Sequence, residues 1–182
     1  MSLSGKVRKM DEIRIYPDSV LMKQAQPVQN IDGRVKDIVN RMIACMCRNG
    51  GIGLAAPQIG ILSQIIVVAG KNGWEAWMNP ELIAGEGESV LEEGCLSLPN
   101  IVVPVKRKEK ILVRGWNLDE KEMIWENSDF PARVVLHEID HLRGTLIIDH
   151  LSKLKRKLLV RKMIKDQKRS GRKPRFMEAH PR

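Results

Sequence analysis

Apolar residues at Val35, Ile38, Val39, Met42, Ile43 and Met46 recur in steps of three and four. That spacing gathers side chains on one face of a 3.6-residue helix, so residues 32–48 are expected to form a helix with a single buried stripe. Asn49-Gly50-Gly51 ends it, because glycine accepts the left-handed backbone that closes a helix. Residues 61–69, 74–78, 110–116 and 122–125 are short, mostly rich in β-branched or aromatic residues, and bounded by turn formers or charges. They read as strands. A second helix is expected over 131–143, entered through Ser128-Asp129 with Pro131 in its first turn and closed by Gly144. A third begins near Leu151, with Leu151, Leu154 and Leu158 on one stripe and Lys or Arg elsewhere. Strands flanking a central helix, without regular strand-helix-strand alternation, predict an α+β fold.

With 182 residues, 43% of them apolar, the chain can bury one full core but not two independent ones. The expected organisation is a disordered leader over 1–11, a body over 12–155, and a basic helix and tail over 156–182. From residue 170 the chain is rich in charge, Gly and Pro, and disorder is expected there unless it is bound. No apolar run approaches the ~20 residues that cross a bilayer. The polar start Met1-Ser2-Leu3-Ser4-Gly5 lacks the apolar stretch of a signal peptide. A soluble, cytoplasmic protein without a membrane partner is expected. Three cysteines at irregular spacing suit a reducing compartment better than a disulfide framework.

The net charge of +9 is unevenly spread. Residues 153–182 hold 13 Lys and Arg against two acids, whereas residues 1–152 hold 18 against 20. A basic tail on a near-neutral body suits a polyanion such as ribosomal RNA, although a solvated helix face carries similar charge equally often.

The strongest chemical signal is His137-Glu138-Ile139-Asp140-His141 inside the second helix. Four residues advance a helix by about 400°, so both imidazoles share one face, one turn apart, where a single metal can be held. Glu138 lies beside them, suited to proton transfer rather than ligation. A catalytic site of this type needs a third protein ligand. Cys95, in Glu93-Gly94-Cys95-Leu96-Ser97, is the candidate, against the ordinary reading of a free cysteine as a small apolar core residue. Cys45 and Cys47 are poorer candidates, since neighbours two apart on a helix point about 200° away from each other.

Three separated motifs, in order, resemble those of the peptide deformylases: Gly51-Ile52-Gly53-Leu54-Ala55-Ala56-Pro57-Gln58, Glu93-Gly94-Cys95-Leu96-Ser97 and His137-Glu138-Ile139-Asp140-His141. Tyr16-Pro17-Asp18, Asn79-Pro80 and Leu151-Ser152 extend the resemblance over about residues 12–155. It implies antiparallel sheets packed around a central metal-binding helix, with a C-terminal helix behind. It also implies one divalent metal ion, ferrous iron expected and zinc, nickel or cobalt open, on Cys95, His137 and His141. Glu138 is then the acid/base group, and Gln58 with the Leu96 N–H binds the developing oxyanion. Ile52, Gly53 and Gly94 border the substrate, an N-formyl-methionyl peptide. A metallopeptidase would leave the first two motifs unexplained. A catalytically silent RNA-binding relative would have no use for Glu138 and Gln58.

Two positions depart from plain expectation. The family usually carries Gln before the first histidine, where this chain has Leu136. That side chain points about 100° away from His137, so the ligand set survives while a supporting hydrogen bond is lost. Arg133 shares the helix that walls the methionine pocket in the family. Arg107, in Val105-Lys106-Arg107, resembles a basic family position near the metal cysteine, but it is read as a solvated charge, since isolated charges usually are.

Overall fold

The computed structural model describes residues 10–70 and 73–169. Its helices are α1 (Gly33–Arg48), α2 (Asp129–Leu142) and α3 (Lys153–Arg169). Its strands are β1 (Gly53–Ala55), β2 (Ile65–Gly70), β3 (Gly73–Glu86), β4 (Ser89–Cys95), β5 (Leu98–Arg107), β6 (Lys110–Trp116) and β7 (Glu122–Ser128). Five strands form an antiparallel sheet in the order β1-β2-β3-β6-β7, and β4 and β5 form a separate antiparallel hairpin. This is the expected α+β class.

Helix α1 starts where Asp32 caps it, its carboxylate accepting from the N–H groups of Arg34 at 2.9 Å and Val35 at 3.2 Å. Its expected stripe buries Val35, Val39, Met42 and Met46, with Cys45 between them. The stripe packs on Ile65 and Val67 of β2, while Ile66 and Val68 face the opposite side against Ala132, Val135, Leu136 and Ile139 of α2. Both faces of β2 are thus covered, which is why its sequence reads as an unbroken apolar run. Leu136 sits within this apolar layer.

Three strands, β1, β4 and β5, were not expected from the pattern. β5 contains Pro99 and Pro104, which lower any strand expectation, yet its partner lies on one side only and proline is tolerated there. Leu98, Ile101, Val103, Val105 and Arg107 are its buried positions. β3 also runs well past the expected 74–78, because Asn79-Pro80 falls at a bulge between Met78 and Glu81 instead of ending the strand. β2 is shorter than expected, since Gln26 and Ser63 pair as an isolated bridge just before it.

The third helix needs a correction. Leu154 and Leu158 are exposed, and Leu159, Val160 and Met163 instead pack with Leu21, Leu146, Ile148 and the hairpin. Leu151 lies ahead of the first helical residue, so the stripe that reaches the body is counted from a different register. Of the expected leader, Met10 and Asp11 are described, and Asp11 is held by Arg41 at 2.7 and 2.8 Å. Residues 1–9 and 170–182 lie outside the described residues.

Candidate metal centre

Ser128 precedes α2 as its N-terminal cap residue, and Gly144 follows it with φ 72°, so the segment carrying both histidines is bounded much as its sequence predicts. His137 and His141 lie on one face with ring centroids 5.1 Å apart. Cys95, the last residue of β4, reaches the same point from the hairpin, its Sγ 3.2 Å from Nε2 of His141. One donor atom from each of Cys95, His137 and His141 falls within 4.8 Å of the others.

This donor set fits a transition metal. Sulfur and nitrogen ligands at ~2.3 and ~2.05 Å, held tetrahedrally, stand about 3.5 Å apart, close to the sulfur–nitrogen spacing seen. Beside them Glu138 is buried, with Oε2 making no protein hydrogen bond, and Nδ1 of His141 is likewise unpartnered. Cys45 and Cys47 are not part of this donor group: Cys45 is buried within the α1 layer and Cys47 is exposed.

The electrostatics favour a thiolate. Burial alone pushes the Cys95 thiol up, but the neighbouring imidazoles outweigh it and draw the pKa down to about 5. Burial pulls His137 down, yet hydrogen bonds to Cys95 and Glu93 dominate and raise it to about 10. Desolvation raises Glu138, so its carboxyl holds a proton more tightly than an ordinary glutamate.

Glu93 accounts for the orientation of His137. Its Oε2 meets Nδ1 of His137 at 3.0 Å and accepts from Nη2 of Arg107 at 2.9 Å. Oε1 accepts from Nε of Arg107 at 2.6 Å and Nη1 of Arg133 at 2.7 Å. Despite burial, His137 and Arg107 hold the Glu93 carboxyl down to about 2. With Nδ1 engaged, Nε2 of His137 is left to face the donor cluster. Arg107 is therefore not a solvated charge. It is 7% exposed and also donates to Asp140 at 2.8 Å, and Asp140 in turn meets His150 at 2.8 Å. A buried guanidinium persists because two carboxylates neutralise and hydrogen-bond it.

The remaining expected residues surround the cluster. Gln58 Oε1 accepts from the Ala55 N–H at 2.8 Å, which points Nε2 toward Cys95 Sγ at 3.7 Å and Ser97 Oγ at 3.3 Å. Gly53 lies against Glu138, where even a Cβ would overlap its carboxylate. Ile52 is exposed, and its carbonyl accepts from Ala69 at 2.8 Å. Gly94 pairs with Val102 in the hairpin, and Leu96 packs beside the α1 layer. Glu93, Arg107, Arg133 and Asp140 were without assigned supporting roles in the sequence. A signal existed for two of them: Glu93 lies two strand residues from Cys95, and Arg133 lies one helical turn before His137.

Three protein donors with a buried acid alongside are a set that could hold one metal ion, the arrangement expected of a metal-dependent hydrolase. The comparisons then narrow the class. A family model described as polypeptide deformylase matches residues 10–157. A peptide deformylase of Thermodesulfovibrio yellowstonii is 44% identical over 162 residues, spanning 86% of this chain and 98% of the relative. The crystal structure of a peptide deformylase from Legionella pneumophila superposes with a TM-score of 0.84 at 36% identity, covering 91% of this chain and all of that one. One from Ehrlichia chaffeensis in complex with actinonin gives 0.82 at 30% identity, with 87% and 98% covered. The chain belongs to the polypeptide deformylase family, which removes the N-formyl group from nascent peptides.

Proposed function

We propose that Cys95, His137 and His141 hold one divalent metal ion, ferrous iron in the native protein, and that this centre deformylates formyl-methionyl N termini. The observation that carries the reading is the convergence of a strand thiol and two helix imidazoles beside a buried acid with an unpartnered oxygen. When bound, the metal supplies Lewis-acid polarisation and acidifies water toward neutral pH. Glu138 takes the proton from the attacking water and returns it to the leaving amine, a task that its raised proton affinity suits. Gln58 Nε2 and the Leu96 N–H donate to the oxygen on which negative charge develops. Ile52, Gly53 and Gly94 border the extended substrate, and the bare Gly53 leaves room for the Glu138 carboxylate beside it. A formyl carbon bears only hydrogen, so the reaction needs polarisation and a positioned base more than steric relief. A thiolate donates more charge than a carboxylate, which distinguishes the centre from a two-histidine, one-carboxylate peptidase site.

The test is formate release from formyl-Met-Ala-Ser after anaerobic loading with ferrous iron or with zinc, alongside metal-free protein and Glu138→Gln. Release should require both a metal and Glu138, and should be faster and oxygen-labile with iron. Undiminished release from Glu138→Gln would overturn the assigned role, and equal rates with zinc would remove the case for iron. Competition by actinonin is expected, as the Ehrlichia chaffeensis relative binds it.

The basic tail completes the reading, with the enzyme acting in the cytoplasm where chains emerge. α3 packs through Leu159, Val160 and Met163, leaving Lys153, Lys155, Lys157, Arg161, Lys162 and Lys165 exposed. These charges suit the phosphate backbone of ribosomal RNA, and such binding weakens steeply with salt. Replacing Lys155, Lys157, Arg161 and Lys162 with Glu should abolish ribosome co-sedimentation. Salt-insensitive or unchanged binding would exclude this partner.

A further inference from the structure

The hairpin that carries Cys95 shares no ladder with the five-stranded sheet, and its apolar cluster contains no residue of α2. Apolar packing therefore joins the hairpin to Leu21, Leu146, Ile147, Ile148 and α3, without fixing it against the helix that carries the histidines. Among the described residues, the hydrogen bonds reported between hairpin and α2 use four side chains of the helix: Arg133, His137, Asp140 and His141. His137 and His141 belong to the proposed ligand set, and within the hairpin Asp140 reaches only Arg107. Arg133 alone of the four bonds to both strands of the hairpin.

Its reach is specific. Nη1 donates to Glu93 Oε1 at 2.7 Å and to the Val105 carbonyl at 2.9 Å, while Nη2 donates to the Ser89 carbonyl at 3.1 Å and Ser89 Oγ at 2.8 Å. Ser89, Glu93 and Cys95 lie at alternate positions of β4, hence on one face of the strand. Arg133, His137 and His141 lie at successive turns of α2. A turn rises about 5.4 Å and two strand residues about 6.7 Å, so the elements can run alongside and meet rung by rung. Arg133 meets Ser89 and Glu93, His137 meets Glu93, and His141 meets Cys95. The Val105 carbonyl, which also accepts from Arg133, lies on the neighbouring strand β5.

We infer that Arg133 is a positioning residue: it locks the hairpin to α2 and thereby sets where the Cys95 thiolate stands relative to the two imidazoles. This rests on the assignment of Cys95, His137 and His141 as metal ligands. Arg133 touches none of those donor atoms. It acts through Glu93, which it shares with His137, and through the strand that ends at Cys95. The planar fork matters as much as the charge, since four acceptors in two directions are engaged at once.

The experiment is cobalt titration of the metal-free protein, following the thiolate-to-cobalt absorption band and the affinity by chelator competition. Arg133→Met should weaken affinity about 10- to 100-fold, the usual cost of losing an outer partner, and should shift or weaken the thiolate band. Arg133→Lys keeps a charge without the fork and should recover only part of the loss. In a double-mutant cycle with Glu93→Gln, the two losses should be strongly non-additive. A lower melting temperature with cobalt affinity and thiolate band unchanged would make Arg133 a merely structural residue and overturn the inference. If Arg133→Met does not fold, Arg133→Lys and Ser89→Ala carry the same decision. The underlying ligand assignment fails separately: wild-type protein would then take up no stoichiometric cobalt, or Cys95→Ser would keep the thiolate band.

Discussion

A methyl group at position 53 would collide with the Glu138 carboxylate and crowd Val134, so the strand beside the acid has to be bare. Gly53→Ala is expected to move that carboxylate by a substantial fraction of an ångström. Misplacement of this size typically costs on the order of 100-fold in rate. Formate release should fall accordingly while metal content stays at the wild-type level, and unchanged turnover would show that Glu138 has slack. Arg107 makes the complementary point about buried charge. Arg107→Met leaves Glu93 and Asp140 short of their shared cation, and breaking a buried pair from one side costs about 3–5 kcal/mol. Denaturant unfolding should show a loss of that size, whereas a loss below ~1 kcal/mol would return Arg107 to the status of a solvated charge. Residue spacing offered no sign of this burial, because the two acids that neutralise Arg107 lie on β4 and α2, 14 and 33 residues away.

The end of α2 is held by Gly144 for two reasons that add. Its φ of 72° is costly for any residue with a Cβ, and that Cβ would also strike the backbone of Met22 and Lys23. Gly144→Ala should therefore destabilise by more than the ~1–2 kcal/mol of the backbone term alone, read by thermal or urea unfolding. The first reason was legible from the position of the glycine after the apolar stripe. The second was not, since it depends on where a distant turn packs. At α1, Asp11 accepts a forked pair of bonds from Arg41, and its carbonyl also accepts from Arg48. The hydrogen bond from Arg41 holds the Asp11 carboxyl below its usual pKa. A depressed folded-state pKa means stabilisation that is complete above about pH 4 and is lost as pH falls through the lowered value. Asp11→Asn should thus cost on the order of 1 kcal/mol at pH 7, and progressively less toward pH 3. A pH-independent difference would show that packing, not charge, is what Asp11 supplies.

At the level of the assembled molecule, the centre joins two parts that the backbone leaves separate: a hairpin and the helix behind the main sheet. A metal on Cys95, His137 and His141 would then staple them, and ligand binding to the folded state alone stabilises it by mass action. With free zinc at a thousand times its dissociation constant the gain is about 4 kcal/mol, or roughly 10 °C in melting temperature for a chain of this size. Chelation should reverse it, and Cys95→Ser should blunt the difference. A melting temperature insensitive to chelation would argue against a metal bridging the two parts.

The helices, the ligand spacing on α2 and the α+β class were all local matters. A stripe repeats every three or four residues, a cap sits next to what it caps, and two histidines four apart must share a helical face. Chemistry legible at that range needs no knowledge of the fold. The thiol motif could be named from its residues, but its meeting with the histidines depends on packing between segments 42 and 46 residues apart. The hairpin stayed hidden because prolines and alternating charges mask a strand whose partner lies on one side only. The buried network of Glu93, Arg107, Arg133 and Asp140 exists only once that hairpin lies along α2. A charge is solvated or structural according to what surrounds it, and a linear chain does not contain its own surroundings.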